Sequence, residues 1–172
     1  MPCVAKIITL SQLPTIIREA RCKKQRLVLA TGVFDLLHSG HLKFLQAAQK
    51  HGDILLVGLE TDKRVKKLKG SERPIWNLSK RLEMVSKVEG VDYIFALPEK
   101  FATLKDYEQF MSQVKPDILA VSSHTPYQSI KKILVEKYGG RLKVVLAYHP
   151  HVSTSKIWQK MKRKMIIQKE TS

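Results

Sequence analysis

Cysteines are scarce in this chain, and long apolar runs are missing. The only two cysteines, Cys3 and Cys22, do not form a C-x-x-C pair. The sequence therefore indicates neither a disulfide framework nor a cysteine-rich metal site, and we expect reduced structural thiols. No run of about 18 apolar residues occurs, and Lys6 interrupts the first ten residues, so neither a membrane-spanning helix nor a secretory signal is predicted. The cytoplasm is the expected location.

Acidic residues are also few relative to basic ones. Lys and Arg number 31 against 15 Asp and Glu, which gives a formal net charge of +16. The resulting positive field attracts anions, and nucleic acid, anionic lipid and free nucleotide are all compatible with it. Charge alone favours a solvated lysine-rich surface that binds nothing in particular. The aromatic content of 7% gives no interleaved stacking surface of the kind that single-strand binders use.

The size and composition of the chain predict one domain. A length of 172 residues with 44% hydrophobic residues is enough for a core of ordinary size. No linker, repeat or low-complexity segment divides the sequence. We therefore expect a single domain over residues 1–172, with a helical extension at 1–26 and a basic helix at 153–172.

Short apolar runs rich in branched residues recur along the chain and are typical of buried parallel strands. There are five, at Leu27–Ala30, Ile54–Leu59, Tyr93–Leu97, Ile118–Val121 and Leu142–Ala147. The stretches between them have the spacing of amphipathic helices, as in Leu42, Leu45 and Ala48. Further helices are predicted before the first strand, at Ser11–Ala20, and after the last, at Ser153–Gln168. This alternation predicts an α/β protein with a Rossmann-like open parallel five-stranded sheet and helices on both faces.

One strand-to-helix turn carries the residues best suited to chemistry. After the first predicted strand, a glycine turn and a short apolar connection lead to His38-Ser39-Gly40-His41 and an amphipathic helix. Ligands bind at the carboxyl ends of such strands, where free N–H groups and the positive end of the helix dipole favour phosphate. Gly32 and Gly40 would let a nucleotide approach the backbone. His38 and His41 are spaced so that both rings can face the same anion.

Imidazole suits phosphate chemistry because it donates a hydrogen bond at neutral pH and can carry a proton. Transfer at phosphorus needs mostly positioning and charge stabilisation. Two other interpretations remain, a buried helix start with incidental histidines and a metal site. Zinc would need further ligands. The other histidines, His51, His124, His149 and His151, offer no spacing that completes a site, so no metal site made by protein side chains is predicted.

The segment TGVFDLLHSGH at 31–41 resembles the G-x-F-D-x-x-H-x-G-H signature of the cytidylyltransferase-like nucleotidyltransferases. The resemblance implies the nucleotidyltransferase (HxGH) type of fold. It also implies that His38 and His41 are catalytic, holding a triphosphate and stabilising the transition state. The nucleotide pocket would then be lined by Thr31, Gly32, Val33, Phe34 and Gly40.

A second segment, Val152–Ile157, resembles the family's late I-S-T-S signature, which opens a helix and contacts phosphates. The resemblance implies nucleotide contacts by Ser153, Thr154 and Ser155. Serine and threonine at a helix start are also ordinary N-caps. Both uses are compatible, because hydroxyl and free N–H groups serve either purpose.

A basic segment, Leu68–Ile75, resembles the flexible stretch that closes over the triphosphate in this family. It implies a catalytic contact by Lys69 and a nucleotide contact by Arg73, and Arg81 occupies the place of a family arginine near the phosphates. The alternative is that these are solvated surface cations. The family chemistry also implies Mg²⁺ bound with the nucleoside triphosphate.

Three features spread along the chain are most similar to one subgroup, the bacterial heptose 1-phosphate adenylyltransferases. They are Lys6–Leu10 with the helix ahead of the first strand, the L-K-G and R-P-I residues of the basic segment, and Tyr138-Gly139-Gly140 before the fifth strand. Glycerol-3-phosphate cytidylyltransferases and archaeal FAD synthetases share the signatures. The resemblance implies transfer of a nucleotidyl group, AMP in preference to CMP, to a small phosphorylated sugar or polyol with release of pyrophosphate. It also implies a homodimer as one assembly.

The sequence departs from the subgroup mainly on the acceptor side. A K-G-G-D-Y-like stretch is replaced by Val121–Thr125, Glu89 stands where a basic residue is usual, and Tyr148–His151 replaces a more acidic turn. Asp35, Ser122, Ser123 and His124 are the candidate acceptor contacts, and the acceptor's identity stays open.

Two other functional hypotheses remain. A catalytically altered nucleotide-binding protein would explain the changed acceptor loop. A nucleic-acid-binding protein would explain the charge and the basic terminal helix with Lys160, Lys162, Arg163 and Lys164, but it leaves the histidine turn without a role.

Overall fold

The computed structural model describes residues 4–101 and 103–147. Strands and helices alternate along them, in the order β1 (Lys6–Ile7), α1 (Leu13–Cys22), β2 (Leu27–Gly32), α2 (Ser39–Gln49), β3 (Ile54–Leu59), α3 (Asp62–Lys69), α4 (Leu78–Ser86), β4 (Tyr93–Ala96), α5 (Leu104–Val114), β5 (Ile118–Ser122), α6 (Gln128–Lys137) and β6 (Arg141–Leu146). All five predicted strands are confirmed, with ends that shift by one or two residues. The predicted helix at 153–172 and the segments Tyr148–His151 and Val152–Ile157 lie outside the described residues.

The strands form one parallel sheet in the order β1-β4-β3-β2-β5-β6. The predicted α/β class with a parallel sheet is thereby confirmed. The sixth strand, β1, was not predicted. It pairs Lys6 with Tyr93 and Ile7 with Ile94 at the sheet edge, and two residues are too few to show any periodicity in a sequence.

Helices cover both faces of the sheet and enclose two apolar cores. On one face, Leu45 and Ala48 of α2 pack with Val85 of α4. On the other, Leu13 of α1 joins residues of α5 and α6, including Met111. The central strands are buried on both faces, which explains their nearly continuous apolar sequences. In the part of the chain described here, no helix is long and apolar enough to cross a membrane.

The order of the strands reverses between β2 and β5. From β2 the chain adds β3 and β4 on one side and then crosses to add β5 and β6 on the other. The loops that leave β2 and β5 therefore run toward opposite faces of the sheet and leave a crevice between the two carboxyl ends. Ligands of open α/β sheets bind at such switch points.

Candidate active site

A cavity of about 320 Å³ opens at this crevice. Its walls come from the ends of β2, β5 and β6, the start of α2, and single side chains of the segments around α3, α5 and α6. The lining residues are Thr31, Gly32, Val33, Phe34, His38, Ser39, Gly40, His41, Lys43, Phe44, Lys69, Tyr107, Leu119, Ala120, Val121, Ser122, His124, Thr125, Lys131, Leu146 and Ala147. Most of the residues predicted from the histidine signature are thus brought together here.

The turn after β2 is held in an unusual backbone conformation. Phe34 has a φ of 47°, in the left-handed region that a side chain rarely adopts. Its ring is buried and folds back over Gly32, where an added Cβ would lie 2.9 Å from the Phe34 Cε2 atom. Gly32 is therefore required by this close approach, and the turn carries the chain from β2 to the start of α2.

His38 is the N-cap of α2. Its Nδ1 accepts a hydrogen bond from the Gly40 N–H at 3.1 Å. A Cβ at position 40 would lie 3.0 Å from the His38 ring, so Gly40 leaves room for this cap. Because Nδ1 is the acceptor, the proton of the neutral ring lies on Nε2, which is a hydrogen-bond donor.

The two imidazoles stack on each other. The ring centroids of His38 and His41 are 3.8 Å apart with an interplanar angle of 19°. Burial, the adjacent His38 and the Lys69 ammonium lower the pKa of His41 to about 3, against a small opposing effect of the Leu36 backbone. Burial also lowers the pKa of His38. Both rings are neutral at physiological pH, so in the free protein they offer hydrogen bonds and no fixed positive charge.

Fixed positive charge comes from lysines. Lys69 is an exposed residue that also lines the cavity, where desolvation and the neighbouring Arg73 lower the pKa of its ammonium, an effect that Asp35 opposes. Lys43 and Lys131 also line the cavity. Among the described lining residues there is no aspartate or glutamate, so the cavity attracts anions.

Asp35 and Arg73, both predicted to contact ligands, pair with each other outside the lining. The Arg73 guanidinium lies 2.7 Å from the Asp35 carboxylate, and both side chains are less than 10% exposed, at 7% and 1%. Asp35 also accepts N–H bonds from Ile75 and Trp76 at 2.9 Å. In this structure the Asp35 carboxylate anchors the 73–76 segment and is 1% exposed, and its contact with an acceptor stays a prediction.

Arg81 is also placed differently from the predicted phosphate contact. Its side chain is fully buried, and it donates to the carbonyls of Trp76, Val33 and Glu60 and to the Asp62 carboxylate at 2.6–3.1 Å. No ligand can reach it in this conformation. The arginine instead ties α4 to the ends of β2 and β3.

The predicted acceptor loop after β5 is only partly in the cavity. Ser122 and His124 line it, and so does Thr125, whereas Ser123 does not. The loop is closed on itself, because the Thr125 hydroxyl lies within hydrogen-bond distance of the Ser122 backbone N–H (3.2 Å) and of the Ser122 hydroxyl (3.1 Å). A compact hydroxyl-rich turn therefore stands at this rim.

Sequence reasoning missed several lining residues. Tyr107 of α5 and Lys131 of α6 reach the cavity from the face opposite α2, and Phe44 contributes from α2. Tyr107 and Lys131 lie on helices with ordinary amphipathic patterns. No motif connects them in the sequence, so only the packing of α5 beside α6 could identify them.

A group of three or more His, Cys, Asp or Glu side chains that could hold a metal ion is not found within residues 4–101 and 103–147. The cationic lining fits a polyphosphate. Because the described lining has no carboxylate, a metal ion at this site would have to be held by the oxygens of a bound polyphosphate.

A parallel α/β sheet, a cavity at its switch point and two neutral imidazoles beside a helix start define a nucleotide-binding protein of the nucleotidyltransferase class. Comparison with known families agrees. The family model described as Cytidylyltransferase-like matches residues 29–169, and the chain belongs to this family.

Curated relatives share much of the sequence. The chain is 36% identical over 158 residues to the bifunctional protein HldE of Geotalea uraniireducens, covering 92% of this chain and 31% of that protein. It is 34% identical over 158 residues to HldE of Pseudomonas putida, covering 91% and 32%. The chain thus spans about a third of the length of these relatives.

Solved structures share the fold. The lipopolysaccharide core biosynthesis protein from Thermoplasma volcanium superposes with a TM-score of 0.60 at 26% identity, covering 74% of this chain and 99% of that one. Pantoate-beta-alanine ligase from Francisella tularensis, complexed with beta-gamma ATP and beta-alanine, gives a TM-score of 0.64 at 16% identity over 86% and 69%. At that identity the likeness to the ligase concerns the fold alone.

Proposed function

We propose that this protein transfers a nucleotidyl group, AMP in preference to CMP, from a nucleoside triphosphate to the phosphate of a small sugar. Heptose 1-phosphate is the acceptor that we favour. The observation that carries the proposal is the stacked His38–His41 pair at the start of α2, in an acid-free cavity at the sheet's switch point.

Three features would hold the triphosphate: a hydrogen-bond donor, a positive charge and a helix N-terminus. The Nε2–H of His38 would donate to a phosphate oxygen, because its Nδ1 is already used by the helix cap. Lys69 would supply positive charge, and the start of α2 adds the positive end of its dipole. Apolar residues at the ends of β5 and β6, including Val121 and Leu146, give a surface for a nucleobase. The predicted phosphate contacts of Ser153, Thr154 and Ser155 remain part of the proposal.

The reaction needs no covalent intermediate with the protein. An oxygen of the acceptor phosphate attacks the α-phosphorus, a new P–O bond forms, and the bond between the α-phosphorus and the bridging oxygen breaks. Pyrophosphate leaves with that bridging oxygen. Charge that develops on the phosphates is stabilised by hydrogen bonds from the imidazoles and by Lys69. Mg²⁺ carried by the triphosphate would neutralise part of the charge.

The choice of acceptor rests on the relatives. Two HldE proteins match over most of this chain at 34–36% identity, and the sequence pattern resembles that of heptose 1-phosphate adenylyltransferases. Glycerol-3-phosphate cytidylyltransferase and FAD synthetase activities are the runner-up possibilities within the same reaction type. The cytoplasmic location and a homodimeric assembly stay predictions.

Pyrophosphate release measures this activity directly. The purified chain with Mg²⁺ is incubated with ATP or CTP and a panel of heptose 1-phosphate, other sugar 1-phosphates, glycerol 3-phosphate and FMN. We expect turnover with ATP and a sugar 1-phosphate. Replacing one oxyanion-stabilising donor lowers kcat by about 10²–10³ in other enzymes, so His38→Asn and His41→Asn should fall in that range.

The His38→Asn variant separates chemistry from folding. Asparagine is also a favourable N-cap, so it preserves a side-chain acceptor for the start of α2 while it removes the imidazole. We expect its midpoint of thermal unfolding to stay near that of the wild type. Full turnover in the His38→Asn, His41→Asn double variant would refute the mechanism.

A non-catalytic nucleotide-binding protein is the second candidate, favoured by the self-closed loop at Ser122 and Thr125. It predicts that ATP raises the thermal stability of the protein, since a ligand of the native state stabilises it by mass action. It also predicts no pyrophosphate release with any acceptor. The same panel of substrates therefore decides between the two candidates.

A further inference from the structure

A second group of polar side chains lies around Tyr107 and Lys131, two cavity-lining residues that come from the sheet face opposite α2. It comprises Glu60, which follows β3, Arg64 of α3, Tyr107 of α5 and Lys131 of α6. We name it the Tyr107–Lys131 cluster. The charges that act on Lys131 are those of Glu60 and Arg64, whereas those that act on His41 are His38 and Lys69.

Within the Tyr107–Lys131 cluster, the only carboxylate is already paired. Glu60 forms an ion pair with Arg64 at 2.7 Å, and both side chains are mostly buried. The backbone of Glu60 is fixed as well, since its N–H donates to the Gly32 carbonyl at 3.0 Å and its carbonyl accepts from Arg81.

Among the described residues no carboxylate is in direct contact with Lys131, although the negative charge of Glu60 acts on it from a distance. The Lys131 ammonium lies 5.9 Å from the centre of the Tyr107 ring, and within the described ranges it makes no ion pair. It is partly desolvated at the cavity wall, and that burial lowers its pKa. A partly buried ammonium is costly unless an opposite charge accompanies it, so this position is suited to a bound anion.

Tyr107 adds a second unused group. Its hydroxyl is buried and has no hydrogen-bond partner in the described parts of the chain. Its ring is held in place by Phe101, with centroids 5.3 Å apart. A buried hydroxyl without a partner costs free energy, and both Tyr107 and Lys131 line the cavity. Together they offer a donor and a cation that the free protein leaves unused.

An in-line displacement at phosphorus requires two anion sites. The attacking phosphate and the departing pyrophosphate lie on opposite sides of the α-phosphorus, and their negative charges repel. Cations on one side can therefore hold the triphosphate while separate cations hold the acceptor. The histidine pair with Lys69 fills the first role in the proposed function, and Tyr107 and Lys131 line the same cavity from the sheet face opposite α2.

We propose that Lys131 and the Tyr107 hydroxyl bind the phosphate of the acceptor. The inference rests on the proposed function and names the acceptor subsite of that same cavity. Because Glu60 pairs directly with Arg64 at 2.7 Å, it acts on Lys131 only from a distance, and the Lys131 ammonium can form its own ion pair with the incoming phosphate.

Steady-state kinetics test this assignment. Heptose 1-phosphate is varied at saturating ATP, and ATP is then varied at saturating heptose 1-phosphate. A hydrogen bond to a charged group is strong enough that Lys131→Met should raise the KM for the acceptor by about tenfold or more. The KM for ATP should change by less than about twofold. Lys131→Arg keeps the charge and should recover part of the loss. Tyr107→Phe should raise the acceptor KM by about threefold to tenfold.

Lys132→Met is the matched control, because it removes the same charge one position away at an exposed site. It should leave both KM values unchanged. Tyr107→Phe removes a hydroxyl that has no partner, so its midpoint of thermal unfolding should not fall. A lower midpoint with an unchanged acceptor KM would show a purely structural role and overturn the assignment.

Failures of the two proposals look different. If the wild type releases pyrophosphate but Lys131→Met keeps the wild-type acceptor KM, or raises the KM for ATP instead, the subsite is wrong and the proposed function stands. If the wild type binds ATP but turns over none of the acceptors, both proposals fail. Titration of heptose 1-phosphate into protein loaded with α,β-methylene ATP gives a binding readout without turnover, and the same loss of affinity is expected there for Lys131→Met.

Discussion

Two neighbouring imidazoles with different surroundings set the protonation chemistry of the cavity. His38 accepts a hydrogen bond at Nδ1 and is a helix cap. His41 is more deeply buried, and its Nδ1 makes no hydrogen bond of good geometry with the described residues. Protonating either ring would place a charge against its stacked neighbour. A bound polyphosphate would reverse this penalty, because negative charge favours the protonated ring.

The low pKa of His41 predicts a pH-dependent stability. In the unfolded chain the ring takes up a proton near pH 6.5, whereas in the folded protein its pKa is about 3. Between these values the unfolded state binds more protons, so the free energy of unfolding falls as the pH falls. The slope from this one group approaches about 1.4 kcal/mol per pH unit.

Urea unfolding of the wild type and of His41→Asn between pH 7.5 and 5 measures that slope. The wild type should lose stability more steeply than the variant as the pH falls through 6.5. His51 also has a lowered pKa, but it is present in both proteins and cancels in the difference. The difference includes any change in the pKa of His38, because its ring stacks on His41. Parallel pH profiles would mean that His41 takes up its proton over the same pH range in the folded and the unfolded state.

In addition to its apolar packing through Val85, helix α4 is tied to the ends of β2 and β3 by one buried arginine. Arg81 satisfies the carbonyls of Val33, Glu60 and Trp76, and it pairs with Asp62, whose side chain is 36% exposed. Val33 and Glu60 directly follow β2 and β3, whereas Trp76 lies just before α4, and Val33 lines the cavity. Arg81 therefore helps to hold α4 against the turn that shapes one wall of the cavity.

Replacing Arg81 by methionine should lower the free energy of unfolding by about 3–5 kcal/mol, since buried carbonyls and a carboxylate lose their partner. Urea or thermal unfolding measures the change. Lys80→Met is the control on the same helix, because it removes an exposed ion pair with Glu83 and should leave the free energy of unfolding nearly unchanged. If the Arg81→Met variant kept its stability but lost ATP binding, Arg81 would be a phosphate contact, as the sequence predicted.

At the level of elements, the sequence predicted those strands and helices whose formation depends on residues close together in the chain. The strands were evident as apolar runs, and the start of α2 followed from the histidine turn. The roles of Asp35, Arg73 and Arg81 were not evident. A charged residue near a motif looks the same in the sequence whether it faces a ligand or pairs with another buried charge. The Asp35–Arg73 pair forms only when the segment after α3 folds back over the β2 turn.

The whole molecule carries a net charge of +16, which speeds the encounter with anionic substrates. Salt should therefore weaken substrate capture more than catalysis. Between about 0.1 M and 1 M salt the Debye length falls from about 10 Å to about 3 Å, and we expect kcat/KM for ATP to fall by about tenfold while kcat changes less. Steady-state kinetics in KCl measures both constants.

The salt test also bears on nucleic-acid binding. A variant with Lys66→Gln and Lys67→Gln, both exposed on α3, should show a shallower salt dependence and an unchanged kcat. The nucleic-acid hypothesis would instead be favoured if the protein bound an oligonucleotide more tightly than ATP, if that binding fell steeply with salt, and if no transfer activity were found.

The sequence by itself determined the parallel α/β class, the five long strands and the histidine turn, because each depends on periodicity or spacing within a short segment. Tertiary structure alone decided which charged residues meet a ligand and which meet each other. Lys131 and Tyr107 reach the cavity because α5 and α6 pack side by side on one face of the sheet, and Arg81 is buried because α4 crosses the ends of two strands. Such contacts join residues far apart in the chain, so their cause is the packing of the sheet and its helices.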